Sequence, residues 1–365
     1  MSLAGLASPS AAAQNSRIAR DMRPIRIWLW SVAALVFLMV VVGGATRLTE
    51  SGLSITEWKL VTGILPPLSE AAWLAEFEAY KRIPQYSELF PTMSLSEFKF
   101  IFFWEWGHRL LGRLIGVAFA GPYVWFWARG YLTTRMKWQF GAVLALGGLQ
   151  GAVGWWMVTS GLAGRVEVAP ERLAVHLLLA SITFTALVWL AVGLRPKAAE
   201  AAPGRLRVMS KALVGLTLFQ IGLGGLVAGS RAGLTYNTWP LMDGRFIPPS
   251  EHLFDMEPLW LNFLENITTI QFDHRIGAYV LLALAIWHWI DARRTAPGSA
   301  AYRRAATVAG LVIVQAGLGI ATLLLAEGKI PLWPALLHQA VAMFVLGMAV
   351  VHARRLSEPG RPAQR

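Results

Sequence analysis

The sequence contains no cysteine among its 365 residues. This absence excludes disulfide bonds, thiolate zinc sites, iron–sulfur ligation and cysteine nucleophiles in one step. Any metal or cofactor therefore has to be held by histidine, carboxylate or amide groups.

Charged residues are also scarce. They make up 15% of the chain, against roughly a quarter in soluble domains, while 55% of the residues are hydrophobic. Apolar runs near the ~20 residues needed to cross a bilayer recur along the chain. These runs are continuously apolar rather than alternating, which disfavours a membrane β-barrel. The sequence therefore predicts an all-α membrane protein in contact with membrane lipid.

The apolar runs predict eight membrane-spanning helices. The predicted segments are 27–45, 105–128, 138–158, 171–194, 208–228, 268–290, 305–325 and 333–353. Two long connections, roughly 46–104 and 229–267, contain prolines that disfavour further spanning segments.

The distribution of charge predicts the topology. With eight helices, the arginine- and lysine-rich connections all fall on one side of the membrane and the acid-rich long connections on the other. The positive-inside rule then predicts a multi-pass protein with both termini in the cytoplasm. This distribution accounts for the net charge of +12, so no nucleic acid partner is expected. The N-terminal residues lack the early apolar region of a secretory signal, and a bacterial cytoplasmic tail is favoured over a short mitochondrial transit peptide.

The chain repeats itself in a fixed order, which predicts two tandem four-helix bundles related as parallel repeats. The matching segments are Gly43-Gly44 with Gly224-Gly225, 105–109 with 271–275, Gln150 and Gly154 with Gln315 and Gly319, and His176 with His338. The predicted domains are a cytoplasmic tail (1–26), an N-terminal half (27–196), a cytoplasmic linker (197–211), a C-terminal half (212–355) and a second cytoplasmic tail (356–365).

Four histidines are the candidate ligands of a cofactor. His108, His176, His274 and His338 lie near the starts of the even-numbered helices, at similar depth towards the outer side. Two imidazoles on facing helices of a bundle suit the two axial positions of haem iron, whereas zinc would lack its third and fourth ligands. Packed, hydrogen-bonded histidines are the alternative, but ionisable residues inside a membrane are costly and usually functional.

The two halves differ at one informative position. Glu105 precedes His108 by one helical turn, and its counterpart in the second half is Gln271. A carboxylate can take up a proton where an amide cannot, so the first half is predicted to be the chemical site. An ion pair with Arg109 is the alternative for Glu105. Arg109 and Arg275 are candidate partners for haem propionates, or else extend to lipid phosphates.

A second histidine pair supports another reading. His288 and His352 each follow a candidate ligand by 14 residues, which is nearly four helical turns. This spacing is typical of a cytochrome b with two haems, and it leaves open a further haem near the inner surface.

Together these features resemble the haem A synthase family over essentially the whole chain. The residues that carry the resemblance are Glu-x-x-His-Arg at 105–109, His-Arg at 274–275, His176, His338 and the Gly-Gly ends of the first and fifth helices. Because it lacks cysteine, the chain resembles the cysteine-free branch of that family.

The resemblance implies an oxidoreductase that converts a methyl group of haem O to the formyl group of haem A. It implies that His108 and His176 hold the iron of the substrate haem, with Glu105 assisting the oxidation. In the second half, His274 and His338 would hold a resident haem b that passes electrons. The implied partners are haem O synthase and an electron donor or acceptor, and the implied place is the bacterial inner membrane with the haem sites near the periplasm. A membrane electron-transfer cytochrome of the b type and a haem carrier remain alternatives.

Overall fold

The computed structural model describes residues 21–194 and 202–357. Within these ranges, eight helices are long and apolar enough to cross a membrane, which confirms the predicted all-α class and helix count. In chain order they are α1 Arg23–Leu48, α2 Leu95–Ala128, α3 Thr134–Thr159, α4 Pro170–Gly193, α5 Gly204–Ser230, α6 Ile267–Thr295, α7 Ala300–Leu324 and α8 Leu332–Leu356.

The largest departure from the predicted spans is the start of α2, which lies at Leu95 rather than at 105. The Ser94 hydroxyl accepts a hydrogen bond from the Glu97 backbone N–H, and the Glu97 carboxylate accepts one from the Ser94 N–H at 2.8 Å. This capping box satisfies two backbone donors that would otherwise lack partners. The helix therefore begins about three turns before its apolar span.

Two predicted boundaries on the opposite side also shift. Helix α5 begins at Gly204, so the second part of the predicted linker 197–211 is helical. Helix α1 begins at Arg23, within the predicted tail 1–26. The rest of that tail before residue 21, and the second tail after residue 357, lie outside the described residues.

The four helices of each half follow one another as neighbours in space. Helix α1 packs against α2 and α4, and α3 packs against the same two helices; α5, α6, α7 and α8 repeat this order in the second half. The halves also share an extensive interface, formed mainly by α4 with α5 and by α8 with α1 and α4. The two repeats are therefore packed into one continuous helical body.

Small residues allow the closest contact between the halves. A Cβ at Gly225 of α5 would lie 2.8 Å from the Ala174 Cα atom of α4, and a Cβ at Gly229 would lie 2.6 Å from the Pro170 Cα atom. Close backbone approach through small residues is typical of helix packing in membranes. Glycine at these two positions therefore sets the spacing of the halves.

The two long connections lie at the same end of the helices, here called the loop end, where α1 and α5 finish and α2 and α6 begin. The first connection contains a helix, Glu70–Tyr80, whose Trp73 and Phe77 pack against Phe98 and Phe102 of the extended part of α2. This aromatic cluster holds the first connection over the loop end of the first half.

Candidate functional site

The four candidate ligands lie on four helices that all begin at the loop end. His108 lies on α2, His176 on α4, His274 on α6 and His338 on α8. His108 and His176 lie in the first half, and His274 and His338 lie in the second. All four imidazoles are only partly buried. The structure therefore places two candidate ligands in each half, and the binding of a haem by each pair stays a prediction.

A glycine of the third helix of each half leaves room for one imidazole. A Cβ at Gly154 of α3 would lie 2.9 Å from the His176 Cε1 atom, and a Cβ at Gly319 of α7 would lie 2.8 Å from the His338 Cε1 atom. Ordinary contacts of a Cβ lie between 3.4 and 4 Å. Alanine at either position would displace the ring.

The first helix of each half provides the same room for the other imidazole. A Cβ at Gly43 of α1 would lie 3.2 Å from the His108 Nε2 atom, and a Cβ at Gly224 of α5 would lie 3.3 Å from the His274 Cε1 atom. Each candidate ligand therefore has its own glycine, at equivalent positions of the repeat.

Glutamine amides also contact the histidines on α4 and α8. The Gln150 Nε2 atom lies 3.1 Å from both the Nδ1 atom and the carbonyl oxygen of His176. The Gln315 Nε2 atom lies 3.3 Å from the His338 Nε2 atom, while His338 Nδ1 donates to the Gln315 carbonyl oxygen at 3.1 Å. Both amide oxygens are buried without a partner in the described part of the chain. Imidazoles packed directly against glycines, two in each half, and spare amide oxygens fit the ligands of a haem held between two helices.

The carboxylate that distinguishes the first half is buried, with Glu105 only 5% exposed. Its Oε1 atom accepts a hydrogen bond from Arg109 Nε at 2.7 Å. The same guanidinium donates to the carbonyl oxygens of Ile55 at 2.8 Å and Glu57 at 3.0 Å. The ion pair left open by the sequence is thus present, and Arg109 joins α2 to the first long connection.

The second half repeats this arrangement without the charge. The Gln271 Oε1 atom accepts from Arg275 Nη2 at 3.0 Å. Arg275 donates to the carbonyl oxygens of Tyr236 and Thr238, each at 2.9 Å, and these are the repeat equivalents of Ile55 and Glu57. The binding of propionates by Arg109 and Arg275 stays a prediction, since both guanidinium groups already hold loop carbonyls.

Comparison with known proteins identifies the family. The model of the COX15-CtaA family, cytochrome oxidase assembly proteins, matches residues 26–350. This chain belongs to that family.

Individual COX15-CtaA relatives are similar over nearly their full length. The haem A synthase of Beijerinckia indica subsp. indica is 56% identical over 354 residues, which cover 96% of this chain and 98% of the relative. That of Methylobacterium sp. (strain 4-46) is 59% identical over 345 residues, 94% of this chain and 95% of the relative. That of Bradyrhizobium sp. (strain ORS 278) is 55% identical over 338 residues, 93% of this chain and 92% of the relative.

The second histidine pair of this COX15-CtaA protein has a different environment. His288 and His352 are 0% and 1% exposed, and their Nε2 atoms lie 2.8 Å apart, within hydrogen-bonding distance. One ring donates and the other accepts, as neutral imidazoles can. The two rings contact each other directly, so a further haem between them would require the rings to separate.

One charged cluster of the COX15-CtaA chain was not singled out from the sequence. Arg231 of the second half pairs with Glu50 and Glu167 of the first, and Arg47 pairs with Glu167 at 2.5 Å. Burial raises the pKa of the Glu50 carboxyl, and Arg47 and Arg231 oppose that rise. Positions 50 and 231 are equivalent in the repeat and have similar positive φ angles of 56° and 53°. The pair could have been predicted from the sequence, because Glu50 and Arg231 have opposite charges at equivalent positions of the repeat.

Proposed function

We propose that this chain is a haem A synthase, an oxidoreductase that converts a methyl group of haem O to the formyl group of haem A. The family match over residues 26–350 and the 55–59% identity to haem A synthases support the activity. The observation that carries it at the level of residues is the pair of duplicated imidazole sites, of which only the first has a buried carboxylate, Glu105, beside it.

The two sites have different roles in this proposal. His108 and His176 would hold the substrate haem in the first half, and His274 and His338 would hold a haem b in the second. Haem b supplies one-electron redox chemistry when bound. The glycines beside all four imidazoles support both assignments, because they leave space for the imidazole rings in each half.

Glu105 is the proposed acid–base group of the first site. Oxidation of a methyl to a formyl group adds one oxygen atom and removes four electrons, which the proposed electron acceptor takes up. With water as the oxygen source four protons are released, and a buried carboxylate can accept a proton at an oxygen atom. Arg109 orients that carboxylate through the 2.7 Å contact to Oε1, which leaves the other oxygen, Oε2, free of Arg109. Gln271 makes the same contact to Arg275 but cannot take up a proton. The difference in charge therefore supports the proposal that the oxidation takes place in the first half.

The proposed setting is the inner membrane of a bacterium, with both termini in the cytoplasm and the loop end at the periplasmic side. The eight apolar helices and the basic residues at the opposite end support this orientation. Haem O is the proposed substrate, with haem O synthase and an electron donor or acceptor as proposed partners.

Replacing Glu105 by glutamine tests the proposal. Gln271 indicates that glutamine preserves the contact with the neighbouring arginine, so E105Q is expected to fold and to keep its haem b. Conversion of haem O is expected to fall by roughly 10²–10⁴-fold, the usual contribution of a general acid or base. The measurement is the ratio of haem A to haem O, by chromatography and mass, in cells that also make haem O. The matched control, Glu78→Gln, makes the same chemical change at a carboxylate of the first long connection whose side chain is 58% exposed, and it should keep converting haem O.

Unchanged haem A production by E105Q would remove the catalytic role of Glu105. Purified wild-type protein that holds haem b alone, at more than one per chain, would instead indicate an electron-transfer cytochrome.

A further inference from the structure

The two histidine sites differ in how many of their imidazoles are held by an amide. In the second half, the Gln220 Nε2 atom of α5 lies 2.9 Å from His274 Nδ1 and 2.8 Å from the His274 carbonyl oxygen. The repeat places Met39 of α1 at the position of Gln220. Within the described residues, His108 has no hydrogen-bond partner on its ring, whereas the other three candidate ligands each have a glutamine.

A glycine makes room for this amide, also in the second half alone. A Cβ at Gly277 of α6 would overlap the Oε1 atom of Gln220. The first half has Leu111 at the position equivalent to Gly277. Gln220 and Gly277 therefore form one arrangement, and both members are replaced by apolar side chains, Met39 and Leu111, in the first half.

We propose that Gln220 is a positioning residue that would retain the haem of the second half, and that the lack of an equivalent glutamine in the first half would make His108 the more readily exchanged haem ligand. The inference rests on the proposed function, because it takes the first haem as substrate and the second as resident. A substrate site has to release its product, whereas a redox site that works through many turnovers has to keep its haem.

Hydrogen bonding at the second ring nitrogen explains the difference in retention. Iron is bound through one ring nitrogen of a histidine, and a partner on the other nitrogen fixes the tautomer and orientation and raises the basicity of the ligand. The Gln220 Oε1 atom is buried without a partner in the described part of the chain. Rotation of the Gln220 side chain that moves its amide away from the His274 carbonyl, which keeps its helical hydrogen bond, lets Oε1 accept from Nδ1–H of His274. The thioether of Met39 is only a weak hydrogen-bond acceptor.

The test is Gln220→Met in the full-length, detergent-purified protein, measured as the rate at which haem b is lost to excess apomyoglobin. Loss of a partner of this kind typically costs 10–100-fold in affinity, so Q220M is expected to lose haem b roughly 10–100 times faster than the wild type. Gln339→Met is the matched control, because the Gln339 amide donates to the Val40 carbonyl oxygen at 2.8 Å and, within the described residues, makes no hydrogen bond to an imidazole. Q339M should lose haem b at the wild-type rate.

The midpoint potential of haem b separates positioning from a purely structural effect. Q220M, which lacks the acceptor, should raise the potential, and Gln220→Glu, with a stronger acceptor, should lower it. If Q220M does not accumulate, Gly277→Ala displaces the amide from the other side and predicts the same faster loss. In the opposite direction, the double variant Met39→Gln, Leu111→Gly should slow the exchange of haem O and haem A from the first half.

The inference would be overturned if Q220M lost haem b at the wild-type rate and kept the wild-type midpoint potential. It would also be overturned if Q220M and Q339M lost haem b at equal rates. Wild-type protein that contains no haem b would contradict the proposed function itself, whatever Gln220 does.

Discussion

Replacing Gly319 by alanine tests whether His274 and His338 hold a haem. The added Cβ would lie 2.8 Å from the His338 Cε1 atom, and ordinary contact begins near 3.4 Å, so the ring or α7 has to move by about 0.6 Å. Binding sites tolerate displacements of only ~0.5 Å. Overpacking of this kind costs about 1–3 kcal/mol, and each 1.4 kcal/mol is tenfold in affinity. G319A is therefore expected to bind haem b about 5–150 times more weakly.

The assay is the amount of haem b per chain after purification, from the pyridine haemochrome spectrum and chromatography. Gly317→Ala is the control on the same helix, because its Cβ would meet no atom within 4 Å. Alanine in place of glycine inside a helix stabilises by about 0.5–1 kcal/mol, so G317A should keep its haem and unfold at a higher temperature. A G319A protein with full haem b and an unshifted absorbance spectrum would refute the assignment of His338 as a ligand.

The remaining predictions concern the second histidine pair and the charged cluster between the halves. His288→Ala should lose no haem and lower the free energy of unfolding by about 1–3 kcal/mol, because it leaves the buried His352 unpaired; loss of one haem per chain would show that the pair binds one. Arg231→Ala should lower the unfolding temperature, because Glu50 and Glu167 then share Arg47 alone, an effect on the order of 1 kcal/mol at this partly exposed site. Adding Glu50→Gln should recover part of that loss, and no recovery would contradict the coupling.

Most of the fold could be predicted because a membrane helix depends on one local property, an apolar run of sufficient length. The start of α2 could not be predicted in this way. The part of α2 before its apolar span depends on the cap at Ser94 and on aromatic side chains that pack against a separate loop helix. Hydropathy detects neither feature, because the cap at Ser94 consists of polar hydrogen bonds and the aromatic packing is a tertiary contact between separate segments.

The candidate site likewise has residues that could be predicted from the sequence and residues whose roles depend on the tertiary structure. The histidines and Glu105 were visible in the sequence, because polar residues recurring inside apolar helices stand out. The role of Gly154 could not be predicted from the sequence, since it depends on the distance between its helix and His176. The same holds for Arg109, whose partners include two carbonyl oxygens that carry no signal in the residue type.

The pairing of Glu50 with Arg231 has a consequence for how duplicated halves recognise each other. These residues occupy the same position of the repeat, and they meet across the boundary between the halves. If two copies of the first half paired in the same way, Glu50 would face another Glu50; two copies of the second half would bring Arg231 against Arg231. Like charges in contact disfavour both of these pairings, and only the mixed pair is attractive. The difference between Glu50 and Arg231 thus makes the two halves complementary in charge. Pairing of a first half with a second half is therefore favoured over pairing of two identical halves.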